Sequence, residues 1–293
     1  SAAEVRAAAQ LRRARLAGCA LIALLGCCAD SAIAGRPLTA EWRELAPGLE
    51  TAAICGDGKL FDKDVEITFL RADPERWEPM LLCAAQASDG RSLTAREWCE
   101  AHDLRVATNA GMFATDGSTH VGYMRCDDYV NSSHVNIYQS VVALSPKGSG
   151  LPRARIFDLD QTSLTEILGD YRSVAQNLRL IQRPGVNRWS PQERSWSEAA
   201  LGQDSAGRLL FIFCLEPLSM HEFNEILLAL PIDLQCAQHL EGGPEAQLYI
   251  RCGGFERELV GAYETGFSEG NSPGRAWPIP NALGLRPRDP EAR

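Results

Sequence analysis

Ser197-Glu198-Ala199-Ala200-Leu201-Gly202, then Asp204-Ser205-Ala206-Gly207, then Leu209-Leu210-Phe211-Ile212-Phe213-Cys214-Leu215 is the stretch that decides the fold. Two apolar runs flank a turn signal, and this pattern predicts a β-hairpin. Ser219-Met220-His221-Glu222 follows as a capping box, a hydroxyl with a glutamate three residues on. It opens a helix expected to run to about Leu230, which Pro231 helps to stop. Cys236–Leu240 and Gln247–Ile250 then read as strands around Gly242-Gly243. Hairpin spacing of this kind belongs to antiparallel sheet, because a parallel pair needs a long crossover between its strands.

The same reading extends outward. Val65–Leu70, Met80–Ala85, Leu104–Thr108, Ser140–Leu144, Arg155–Leu159 and Asn177–Ile181 read as further strands. Thr94-Ala95-Arg96-Glu97 caps a helix to about His102, and Ser163-Leu164-Thr165-Glu166 caps one to about Tyr171. Trp189–Trp196 is a polar loop carrying two tryptophans, and the segment after Gly266 is rich in Pro and Gly. Strands outnumber helices, with no internal repeat and no linker. The expectation is an α+β fold, a largely antiparallel mixed sheet with a few packed helices, in one domain spanning 35–293.

Composition is that of an ordinary globular chain: 45% hydrophobic and 23% charged over 293 residues. The net charge of −9 argues against a nucleic-acid partner. Arg12, Arg13 and Arg15, the apolar run Leu16–Cys28 and Ala32-Ile33-Ala34 have the order of an export signal cleaved after Ala34. That run is too short to span a bilayer as a helix. In a variant of this reading, Leu24-Leu25-Gly26-Cys27 is a lipobox, and a lipid on Cys27 would be the membrane attachment. Periplasmic or extracellular location is expected either way. Seven of the ten cysteines lie beyond this segment, without zinc-type spacing. Some should be disulfide-bonded and others small buried hydrophobes, Cys83 and Cys214 being open between the two.

Two motifs carry chemistry. In Ala107-Thr108-Asn109-Ala110-Gly111-Met112-Phe113 a strand delivers an amide, and Gly111 allows close approach to the backbone. Asn109 would suit a sugar hydroxyl or phosphate oxygen, or simply close a turn. In Leu240-Glu241-Gly242-Gly243-Pro244-Glu245 a carboxylate ends an apolar strand. Glu241 is there either for acid–base work, its pKa raised by burial, or as an exposed turn acid.

These motifs, in this order, resemble the phosphodiester glycosidase family. The resemblance runs over roughly 50–285: Asn109 to Phe113, Val121-Gly122-Tyr123, the hairpin and helix above, Leu240-Glu241-Gly242-Gly243, and the closing Pro278-Ile279-Pro280-Asn281-Ala282. It implies that fold, and hydrolysis of the bond between a sugar anomeric carbon and a phosphodiester oxygen in a glycoconjugate or small molecule, with no cofactor and no metal. Glu241 would then activate water or stabilise the cationic sugar. Asn109 would hold the substrate, and Gly111, Gly242 and Gly243 would offer backbone N–H groups. Arg125 and Arg194 are candidates for the phosphate, or else solvated surface residues. Asp116 is a second-choice acid or base, or a loop cap, and His120 a substrate contact or a loop residue. The chain departs from the family where Glu241 replaces an Asp, where Pro244 and Glu245 replace Gly and Ser, and where Glu198 stands in place of an Arg.

Two other readings stay open. One is a non-catalytic carbohydrate- or envelope-binding protein on the same fold. The other is a metal-dependent hydrolase using His239 and Glu241, two apart on one strand face, which would need a third ligand. The sequence H-E-x-x-H is absent, since Glu225 follows His221-Glu222 where the second His would fall.

Overall fold

The computed structural model describes residues 39–262 and 275–288. The export segment with Cys27, and most of the Pro/Gly-rich stretch after Gly266, lie outside them. Among the described residues eighteen strands form three sheets, accompanied by three α-helices, and every registered strand pair is antiparallel.

The first sheet has eight strands in the order β1 (Arg43–Ala46), β2 (Leu49–Cys55), β3 (Glu66–Ala72), β14 (Leu209–Leu218), β13 (Trp196–Asp204), β15 (Leu234–Gly242), β11 (Arg179–Gln182) and β12 (Val186–Asn187). The second runs β7 (Tyr129–Ser132), β6 (Met124–Cys126), β10 (Tyr171–Asn177), β8 (Ser140–Pro146), β9 (Ala154–Asp158). The third runs β17 (Phe255–Val260), β16 (Gln247–Cys252), β5 (Val106–Asn109), β18 (Asn281–Pro287), β4 (Trp77–Cys83).

The hairpin expected from 197–215 is β13–β14, closed by Gly207 at φ +82°. β13 is buried from Ser197 to Asp204, because β14 and β15 flank it on both sides. Its small residues follow from that position: a Cβ on Gly202 would lie 2.4 Å from Leu234. The helices are α1 (Ala95–His102), α2 (Leu164–Asp170) and α3 (Met220–Ala229), each opened by the complete capping box read from Thr94, Ser163 and Ser219.

One core cluster joins all three sheets, among its members Leu70, Phe211, Leu201, Val142, Leu144, Val106 and Leu283. A second lies between the first sheet and α3, with Phe69, Ile212, Phe223 and Leu227. Each such side chain contributes roughly 1.5–3 kcal/mol by leaving water. A disulfide, Cys83–Cys126, ties β4 of the third sheet to β6 of the second. Cys214 and Cys236 are buried, their thiols pushed up by burial.

One expected strand is two. Asn177 ends β10 in the second sheet, and Arg179 begins β11 in the first. The chain changes sheets at Leu178, the residue between them.

Candidate active site

The two motifs meet. β5 ends at Asn109, whose Nδ2 donates to the Glu245 carbonyl at 2.9 Å, while Gln247 N donates to its Oδ1 at 2.8 Å. Past Asn109 the backbone turns at Gly111, φ +151°, where a Cβ would fall 2.2 Å from Asn177 Oδ1 and 2.3 Å from His120 Cε1. Only glycine fits so crowded a point. Met112 and Phe113 follow, and they wall a cavity of about 690 Å³ that is also lined by His239, Glu241, Gly242 and Glu245.

The cavity has an aromatic and a charged aspect. Phe113, Tyr138, Trp189 and Trp196 line it, with Arg194 and Glu193 from the loop before β13. The Arg194 guanidinium stands 5.7 Å from the Trp196 ring centroid. Glu241 keeps a face on the cavity but is otherwise enclosed. Burial pushes its pKa up to about 7, against the pull of His239 and the Gly242 N–H at 3.1 Å. A carboxyl with that pKa exchanges protons readily near neutrality. Burial, with Glu241 nearby, also raises the Tyr138 phenol.

Behind Glu241 lies a buried ion-pair geometry. His239 Nδ1 is 2.5 Å from Glu198 Oε1, and Trp196 Nε1 donates to Glu198 Oε2 at 2.7 Å. Both partners are nearly inaccessible, His239 at 3% and Glu198 at 2%. Burial pulls the imidazole down, but Glu198, with Glu241 adding to it, outweighs burial and leaves the His239 pKa raised. The pairing depends on β13 lying beside β15, with a register shift between Ala199 and Ala200.

Of the residues singled out from sequence, Glu241, Gly242, Arg194 and His239 reach the cavity wall. The others sit elsewhere. Asn109 is buried and its amide clamps the two motifs together, so it supports the wall rather than forming it. Gly111 makes the turn described above. Gly243, φ +66°, begins the turn Gly243–Glu245. His120 is buried, its Nε2 2.8 Å from the Gln176 carbonyl, with its pKa pulled down to about 4 by burial. Arg125 and Asp116 are engaged away from the cavity. Arg125 is spent on main-chain carbonyls of Arg172, Tyr171 and Leu168, stapling β6 to the start of β10. Asp116 caps its own loop, accepting from Ser118 N, Thr119 N and Thr119 Oγ1, which lowers its pKa to about 2.

Sequence reading passed over Glu198 as a partner, and Tyr138, Trp189 and Glu193 as wall residues. The signal for Glu198 was present: an acid inside an otherwise apolar strand. Among the described residues no three His, Cys, Asp or Glu side chains are grouped to hold a metal ion. Among those residues no third ligand of that kind stands with His239 and Glu241. Among the described residues, too, no helix is long and apolar enough to cross a membrane.

Residues 102–286 match the sequence family described as phosphodiester glycosidase. No curated protein matches the chain. Among solved structures it is similar to the catalytic domain of zebrafish N-acetylglucosamine-1-phosphodiester alpha-N-acetylglucosaminidase, auto-inhibited by its pro-peptide. The TM-score is 0.60 at 15% identity, covering 86% of this chain and 87% of that one. It is also similar to a hypothetical protein from Synechocystis, with TM-score 0.56 at 12% identity, covering 87% of this chain and 64% of that one. At such identities the likeness is one of fold.

Proposed function

The chain belongs to the phosphodiester glycosidase family, and from that premise we propose that it is an exported hydrolase cleaving the bond between a sugar and a phosphodiester in a cell-envelope or related glycoconjugate. One observation carries the reading: a largely enclosed Glu241 carboxyl, its pKa pushed up to about 7, in the wall of an aromatic-lined cavity that also holds Arg194. A sugar ring packs its apolar face on indole, so Trp189 and Trp196 offer the sugar site. A guanidinium suits a phosphate, and Arg194 offers it. Phosphate departs far more easily than an alkoxide, so the protein's main task is to activate water and stabilise a cationic sugar. Glu241, as carboxylate, takes the proton of the attacking water. Export is supported by the order of basic, apolar and small residues before Ala34, and by the Cys83–Cys126 disulfide.

The test is turnover of a panel of sugar-1-phosphodiesters by wild type and Glu241→Gln. Release of free sugar by wild type, lost in the variant, is the expected result. Binding of a panel member without turnover by wild type would favour the carbohydrate-binding reading, and undiminished turnover in the variant would remove Glu241 from its role.

A further inference from the structure

The Glu198–His239 pair is built with more care than a packing contact needs. Both oxygens of Glu198 are engaged, one by His239 Nδ1 and the other by Trp196 Nε1. The indole also meets the imidazole edge to face, 6.4 Å between centroids at 73°, so the ring is held by its partner and by its neighbour. The backbone under it is fixed as well, His239 N donating to the Leu178 carbonyl at 2.9 Å. Yet the second ring nitrogen, Nε2, makes no hydrogen bond among the described residues and is not sealed in; His239 is part of the cavity wall. A carboxylate on Nδ1 holds a proton there, leaves Nε2 facing outward, and favours the doubly protonated ring.

Charge points the same way. Among the described residues the cavity wall carries three carboxyl groups, Glu193, Glu241 and Glu245, against one guanidinium, that of Arg194. An anionic phosphodiester entering it needs another cation at close range. The charged groups that act on the His239 ring are Glu198 on β13 and Glu241 on its own strand, while Glu193, Arg194, Glu245 and Tyr138 share the cavity wall with it. Of these Glu198 alone is bonded to the ring.

Resting on the function proposed above, we propose that His239, held as an imidazolium by Glu198, is the catalytic proton donor to the departing phosphate oxygen, and that Glu198 and Trp196 are its positioning residues. The step balances. Water oxygen bonds to the anomeric carbon and its proton passes to the Glu241 carboxylate. The bond from that carbon to the phosphate oxygen breaks, its electron pair stays on the oxygen, and the Nε2 proton of His239 goes there. The enzyme is left with neutral His239 and protonated Glu241. Solvent exchange, or transfer between these two neighbours, restores the starting state.

The test compares two substrates of whichever sugar wild type accepts: the phosphodiester and the glycosyl fluoride, whose leaving group needs less proton assistance. His239→Gln is expected to lose about 100-fold in kcat on the phosphodiester and under about 10-fold on the fluoride, with KM little changed. Glu198→Gln should show a weaker form of the same pattern, with the upper limb of its kcat–pH profile moved to lower pH. Equal losses on both substrates, with the pH limb unmoved, overturn the proposal. Should wild type cleave no member of the panel, the functional reading fails on its own and the ring is examined directly. Nitrogen-15 spectra of the histidines, with His239 assigned by its loss in His239→Gln, should show it more than half imidazolium at pH 6.5 in wild type. In Glu198→Gln it should be less than half, and methyl phosphate should shift the wild-type Nε2 signal. A neutral ring at that pH, or a signal that methyl phosphate leaves unmoved, overturns the proposal independently of turnover.

Discussion

His120 and His239 are equally hidden, at 1% and 3% exposure, and their protons behave in opposite ways. His120 bonds a neutral carbonyl, that of Gln176, and burial pulls its pKa down to about 4. His239 bonds the Glu198 carboxylate, and its pKa rises despite burial. The charge of the partner, more than the loss of water, therefore separates a scaffold from a reactive cluster. The partners of His120 are neutral: the Gln176 carbonyl, the Asn131 amide, and beside it Gly111 with the Asn177 amide, which donates to the Ala110 carbonyl. Around His239 the groups are ionisable and face a cavity.

The contrast would break if charge at the cavity mattered no more than polarity at the scaffold. The largest effect is expected from Glu241→Gln, with kcat/KM on an accepted phosphodiester falling about 1000-fold, while His120→Gln changes it by less than about 3-fold. Next comes Glu198→Ala. It leaves a buried imidazole without its counter-charge and should cost about 3–4 kcal/mol in urea unfolding at pH 6.

The scaffold histidine gives a signed pH effect. Its folded pKa lies below the unfolded value of 6.5, so between these values the unfolded chain binds the extra proton. Stability is full above pH 6.5, declines as pH falls, and the loss is complete at about 4, amounting to about 3 kcal/mol. His120→Gln should flatten that limb in denaturant titrations. Glu241 has the opposite sign. Its folded pKa of about 7 exceeds the unfolded 4.5, so stability falls as pH rises between the two. Glu241→Gln should consequently be more stable than wild type at pH 8, by about 3 kcal/mol, with the gain vanishing near pH 4. The smallest effect belongs to Asp116→Ala, which sits away from the cavity and should leave turnover within about 2-fold.

Local signals in the sequence carried the fold a long way. The capping boxes at Thr94, Ser163 and Ser219 involve residues three apart, and each helix starts where its box places it. The β13–β14 hairpin was legible for the same reason, since its turn lies between its strands. Tyr171–Asn177 was not, because its Ser173, Gln176 and Asn177 are polar residues turned inward, where they give no apolar alternation. Gln176 is satisfied there by the Asn136 and Tyr138 carbonyls, partners some forty residues away.

The site divides along the same line. Glu241 and Gly242 announced themselves by ending an apolar strand, and Arg194 by its charge near the tryptophans. The Glu198–His239 pair spans 41 positions and depends on which strand β13 takes as its second neighbour, which neither strand's sequence states. Asn109 was noticed for the right reason, an amide at a strand end. Its partners, Glu245 and Gln247, lie 136 and 138 residues further along the chain, in the turn before β16 and on β16 itself, and only where β16 pairs with β5 does it become a clamp.

The most direct measurement is a crystal structure of Glu241→Gln with a sugar-1-phosphodiester that wild type cleaves. The sugar ring should rest against Trp189 or Trp196, its anomeric carbon beside the side chain of residue 241, and the phosphate should lie within hydrogen-bonding reach of Arg194 and His239 Nε2. A ligand bound outside this cavity, or inside it with the phosphate turned away from both cations, would contradict the account.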